Sequence, residues 1–112
     1  MRIAIPLFQG KLSLHFGHCE RFAFFNIEES SNEILSREDM TPPAHEPGVL
    51  PRWLHENNVN VIIAGGMGQR AQQLFVNNGI EVIVGASDGL PEELVFAYLQ
   101  GSLKTGSNLC DH

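Results

Sequence analysis

Ile3-Ala4-Ile5-Pro6-Leu7-Phe8 is a short and almost wholly apolar run near the start of the chain. Such a run reads as a strand buried on both faces, so it belongs inside a sheet with a layer packed on either side. The rest of the fold is read outward from it. Phe22 to Ile27 is rich in aromatic residues and gives a second strand. The turn Glu29-Ser30-Ser31-Asn32 leads by a hairpin into a third, Glu33 to Met40, whose polarity places it at a sheet edge. Thr41 to Gly48 holds Pro42, Pro43 and Pro47 and is a loop. Leu50, Trp53 and Leu54 then recur at helical spacing and predict a first helix, stopped by Asn57-Asn58. Val59 to Ala64 is a fourth strand. Ala71, Leu74 and Phe75 mark a second helix ending at Asn78-Gly79, and Ile80 to Val84 is a fifth strand. Pro91-Glu92-Glu93 opens a third helix, since proline and acids suit a first turn; Leu94, Val95, Tyr98 and Leu99 form its inner face.

This β-β-β-α-β-α-β-α order fits an α/β fold. Two right-handed crossovers make strands 1, 4 and 5 parallel, and a meander makes strands 1, 2 and 3 antiparallel. The expected sheet is mixed and five-stranded, in the order 3-2-1-4-5, with three helices, which is the ribonuclease H-like arrangement. Fold alone does not give function. Nucleases of that fold hold metal ions on first-strand carboxylates, and strand 1 has none, so nuclease activity is set aside.

The chain has 112 residues, 43% hydrophobic and 18% charged. That is one domain, expected over residues 1–101, with a flexible tail over 102–112. Seven Lys and Arg against thirteen Asp and Glu leave a net charge of −6, and no two basic residues are adjacent. Without a basic patch, neither nucleic acid nor an anionic membrane is an expected partner. Cys19 and Cys110 are too few for a secreted disulfide scaffold, and the N-terminal run is too short for a signal peptide. The expectation is a cytoplasmic protein with reduced thiols.

Three segments carry candidate chemistry. His15-Phe16-Gly17-His18-Cys19-Glu20 follows the central strand at its carboxyl end, where open α/β sheets bind ligands. His15, His18 and Cys19 are soft donors suited to zinc, copper or iron–sulfur centres. Cys19 ranks first because thiolate is the strongest of them. A hairpin loop with Phe16 plugging the core is the plainer alternative. Cys110-Asp111-His112 puts Cys110 and His112 on one side of an extended segment, the alternative being an incidental end. Gly65-Gly66-Met67-Gly68-Gln69-Arg70 runs from a strand into a helix. Its glycines allow close backbone approach, and a helix start attracts anions. Gly66 or Gly68 is expected at positive φ, and Met67 is a thioether that could bind metal or simply pack. His45 lies in the Pro-rich loop, and His55 is expected on the outer face of the first helix.

Together these segments resemble one family. The start Arg2-Ile3-Ala4-Ile5-Pro6, the loop His15-Phe16-Gly17-His18-Cys19 leading to Phe22, and Val61-Ile62-Ile63-Ala64-Gly65-Gly66-Met67-Gly68-Gln69-Arg70-Ala71 are similar to the dinitrogenase iron–molybdenum cofactor biosynthesis family. Gly79-Ile80-Glu81-Val82 and Gly85-Ala86 extend the likeness to about residue 101. Many relatives carry a His- and Gly-rich stretch before the first helix, where this chain has His45. The resemblance implies a non-catalytic carrier of a molybdenum- or iron-containing metal–sulfur cluster. It would bind an anionic cluster or precursor and exchange it with a cluster-donating or cluster-accepting protein. It also implies that His15, Phe16 and Gly17 form one binding segment and Gly65, Gly66, Gly68 and Arg70 the other. The remaining readings are a zinc- or copper-binding regulatory module and, third, an enzyme acting on a small anion.

Overall fold

The structure is a computed structural model describing residues 1–44, 46 and 48–106. Among these residues six strands and three α-helices follow one another as β1 (Arg2–Phe8), β2 (Lys11–Leu12), β3 (Arg21–Glu28), β4 (Glu33–Met40), α1 (Val49–Glu56), β5 (Val61–Ile63), α2 (Gln69–Asn77), β6 (Glu81–Ile83) and α3 (Pro91–Leu99). The strands form one sheet in the order β4-β3-β1-β5-β6, with β2 paired to β1. β1 pairs antiparallel with β3 and parallel with β5, and β5 pairs parallel with β6.

The five-stranded sheet is thereby corrected to six strands. Lys11–Leu12, between the first two strands expected from sequence, turn back on β1, pairing Leu7 with Leu12 and Phe8 with Lys11. Gln9 and Gly10, at φ of 54° and 80°, make the tight turn between them. A sixth strand also changes the numbered order, because the chain inserts β2 before the aromatic strand.

Alternation along β1 builds two core layers. Ile3, Ile5 and Leu7 point with Phe25, Ile63 and Val95 toward α3. Ala4 points the other way with Phe24, Leu54, Ile62 and Phe75, toward α1 and α2. Ile3 to Leu7 are all buried, as a strand covered on both faces requires. Pro6 is tolerated in this central strand because β5 pairs only with Ile3 and Ala4. Beyond that point β5 leaves β1, and the segment following the β1–β2 turn takes its place, with the Ser13 amide donating to the Pro6 carbonyl at 2.9 Å.

β4 is the exposed edge, as its polarity predicts. Its register against β3 shifts between Asn26 and Ile27, leaving Leu35 as an extra, bulged residue. Two arginines bind this edge to the rest. Arg2 donates to Asn26, the Asn57 carbonyl and Glu38, and Arg37 joins Asp39 and Glu92 at the start of α3. No helix of the described residues is long and apolar enough to cross a membrane.

Central burial of β1 makes it the costliest strand to truncate. Ile5→Ala is expected to lose about 2–5 kcal/mol in urea unfolding. Leu35→Ala, on a 61% exposed side chain, is expected to stay within about 0.5 kcal/mol. Comparable losses at the two positions would contradict this sheet order.

Candidate functional site

The two family-like segments are held together by backbone. At the carboxyl end of the sheet the Gly66 amide donates to the Leu14 carbonyl at 2.7 Å, and the Phe16 amide donates to the Gly66 carbonyl at 2.9 Å. His15 and Gly66 thus form a parallel bridge. On the other side of the glycine turn, the Gly85 amide donates to the Gly65 carbonyl at 2.6 Å and the Ala86 amide to the Ala64 carbonyl at 3.1 Å. Thr105 bridges Ala86, and the Gly106 amide donates to the Gly85 carbonyl at 2.7 Å. Four segments, around residues 15, 65, 85 and 105, therefore lie side by side beyond the ends of β1, β5 and β6. The start of the expected tail takes part in this row; Cys110 and His112 lie outside the described residues, as does His45.

The expected positive φ at Gly66 or Gly68 is not found, for neither belongs to the glycines with positive φ. Gly68 is extended, at φ −64° and ψ 154°, and precedes α2. The need for glycine falls instead on Gly65, where a Cβ would stand 3.0 Å from the Leu14 Cα and 3.1 Å from the carbonyl oxygens of Ser13 and Leu14. Gly85 combines φ of 82° with backbone contact to Gly106. Close approach between chain segments, rather than turn geometry within one of them, sets the requirement at Gly65.

Side chains of the first loop divide between anchoring and exposure. Phe16 packs edge-on against Phe22 and Phe75, at ring separations of 6.1 and 5.5 Å, and pins the short 3-10 turn Phe16–His18. Ser13 is buried, and its hydroxyl donates to the His15 carbonyl at 2.7 Å. His15 and Gly17 are exposed, as is Arg70 in the first turn of α2. Met67 is fully buried and packs in the aromatic layer. His55 is exposed on α1, as expected.

Cys19, ranked first among donors on sequence, is 6% exposed and belongs to the same layer as Phe22, Phe24 and Leu54. Burial pushes its thiol up to about 11, and the Cys19 backbone hydrogen bond offsets this only in part. A thiol held neutral is a poor metal ligand. The structure therefore does not bring Cys19 to a shared cavity with His15 and the glycine turn. Among the described residues, no three of His, Cys, Asp and Glu come together to hold a metal ion.

Two cavities flank the loop instead. One, of about 440 Å³, is lined by Phe8, Lys11, Ser13, Leu14, His15 and Asp88 among others. The other, of about 340 Å³, lies between α1 and α2 and includes Phe16, Gly17, Glu46, Leu50, Arg70 and Leu74. The sequence-read residues are thus shared between two sides, His15 on one and Phe16, Gly17 and Arg70 on the other. Lys11 and Asp88 were missed. Lys11 falls between the first two expected strands and Asp88 before the expected third helix, and only the fold places both on the cavity lined by His15.

Two expectations follow. Gly65→Ala should destabilise the protein by about 1–3 kcal/mol, while Gly68→Ala, with open space at its Cβ, should be nearly neutral; equal effects would remove the close-approach argument. For Cys19, the unfolded thiol loses its proton near pH 8.5–9, about two units before the folded one. The unfolded state then binds fewer protons than the native state, so this contribution is complete below about pH 9 and declines as pH rises toward 11. In a Cys110→Ser background, the stability advantage of Cys19 over Cys19→Ala, read by urea unfolding, should shrink across that window. A constant difference would show a solvated thiol.

The family profile described as dinitrogenase iron-molybdenum cofactor matches residues 1–101. An uncharacterized protein of Methanocaldococcus jannaschii is 33% identical over 109 residues, covering 93% of this chain and 90% of its own. The crystal structure of PH0822 superposes with a TM-score of 0.84 at 30% identity, over 96% of this chain and 98% of that one. The apo form of the orange protein from Desulfovibrio gigas superposes at 0.69 with 21% identity, over 96% and 93% of the two chains, a likeness of fold. With its profile matched over 101 residues and its relatives aligned nearly end to end, the chain belongs to the dinitrogenase iron–molybdenum cofactor family.

Proposed function

We propose that this protein binds and carries a molybdenum- or iron-containing metal–sulfur cluster, or a precursor of one, on the loop at the carboxyl end of β1. The observation that carries this reading is the paired hydrogen bonding of residues 14–16 to Gly66. It fixes the backbone of both family-like segments while leaving His15, Gly17 and Arg70 exposed. A cluster brings most of its own ligands. An imidazole on a rigid, open loop can hold such a cargo and still give it up, as transfer to an accepting protein requires.

The same geometry supports a binding role over a catalytic one. The Ser13 hydroxyl is buried and donates to the His15 carbonyl, so it is not set against the His15 ring as a nucleophile against a base. Burial of Cys19 favours His15 as the direct donor and takes Cys19 out of the donor set open to a zinc or copper module. The reading includes the ribonuclease H-like fold and a cytoplasmic setting, where cluster donors and acceptors are available.

The test is expression and purification without oxygen, followed by visible absorption and analysis of metal and sulfide. A coloured protein containing molybdenum or iron with sulfide is expected, with the colour lost in His15→Ala and kept in Cys19→Ala. A colourless protein with one bound zinc would replace the carrier by a metal-responsive module. Protein that takes up no metal or sulfide, even on reconstitution, would overturn both.

A further inference from the structure

We infer that Lys11 and Asp88 complete a two-sided cargo pocket with His15, in which imidazole and carboxylate bind a metal centre and the ammonium faces its anionic ligands. The inference rests on the cluster-binding reading of the His15 loop and says which of the two cavities receives the cargo. Three observations support it.

The first is placement. All three residues line the 440 Å³ cavity, although they come from β2, the loop after it and the segment before α3. The Leu12 amide donates to the Gly89 carbonyl at 3.1 Å. That bond holds the residue after Lys11 against the residue after Asp88, so the two charged walls keep a fixed spacing. The Ser13 hydroxyl, bonded to the His15 carbonyl, fixes the third wall.

The second is that the fold leaves these charges uncommitted. Arg2 and Arg37 are paired with carboxylates to hold the β4 edge. Among the described residues, neither Lys11 nor Asp88 joins an ion pair, and both are exposed at the cavity.

The third is chemical fit. Nitrogen and oxygen donors suit borderline and harder metal ions, while a lone ammonium suits anionic groups as a point charge. A metal that carries its own sulfides presents both halves at once. Among the described residues, the other cavity is lined by Arg70 and Glu46 on mostly apolar walls, with no imidazole.

The experiment uses the full chain and two probes under anaerobic conditions, cobalt(II) read by its visible bands and tetrathiomolybdate read by its charge-transfer absorption. Asp88→Asn is expected to weaken cobalt(II) binding by about tenfold or more. Lys11→Gln should leave cobalt(II) within about twofold, yet weaken tetrathiomolybdate severalfold and flatten its dependence on salt. Arg52→Gln, at an exposed position of α1 outside both cavities, should change neither. Amide shifts on titration should fall on residues 10–15 and 87–89, and each variant should unfold at the wild-type urea midpoint. Wild-type affinity in both Asp88→Asn and Lys11→Gln overturns the inference. If Arg70→Gln alone loses binding, the cargo sits between α1 and α2, and the carrier reading survives without this pocket. If the wild-type protein binds neither probe, both fall together.

Discussion

The organisation of the site depends on β1 and β5 parting company after two residue pairs, Ile3 with Val61 and Ala4 with Ile62. Open parallel sheets leave a crevice where neighbouring strands diverge, and ligands commonly enter there. Here the chain itself fills much of it. Residues 11–16 return beside β1, satisfy its free carbonyls, and then bond to Gly66. What would be a slot between strands becomes a raised backbone floor, with cavities on its two sides. Backbone groups in such a place must be paired, and the pairing imposes the loop's shape independently of any ligand.

That floor needs a rigid base. Aromatic packing supplies it on one face, where Phe16 leans on Phe22 and Phe75, and Phe22 and Phe24 meet Trp53 at ring separations of 5.7 and 5.5 Å. On the opposite face α3 packs Leu94 and Val95 against Ile3, Ile5 and Phe25. The Arg37 link to Glu92 then ties the start of α3 to the far edge of the sheet. Since Asp88 lies just before that helix, its position is braced from two directions, by Arg37 through α3 and by β2 through Gly89. Much of this support comes from residues outside the cavity, among them Phe75, Trp53, Arg37 and Glu92.

Much of this was legible in the residues. The unbroken apolar run at Ile3–Phe8 requires a central strand, and the polar Glu33–Met40 requires an edge; both follow from burial alone. The helices announce themselves by spacing and, at Pro91-Glu92-Glu93, by first-turn chemistry. β2 was not legible, because two residues carry no periodicity and their pairing is fixed by the turn at Gln9-Gly10. The site was half legible. His15 and the glycines stand out by type, but the reason for Gly65 is a neighbour 51 positions earlier, Leu14, which sequence order hides. Cys19 misled because donor strength is a property of the exposed thiolate, and the chain shows no sign there of the aromatic layer that closes over it. Lys11 and Asp88 are ordinary polar residues until the fold makes them neighbours.

The bulge at Leu35 has a consequence for how this protein behaves among copies of itself. An eight-residue edge strand is long enough to recruit a second sheet edge, chain after chain, and so to seed fibrous aggregates. Leu35 interrupts the repeat that such recruitment would copy, and the exposed Glu33 at the start of the strand opposes a like edge brought alongside. At the other margin β6 is only three residues long, and Thr105 bridges Ala86 just beyond it. With β4 bulged and β6 short and followed by a bridge, both margins of the sheet are poor templates for a second edge, and the chain folds with its longest edge already irregular.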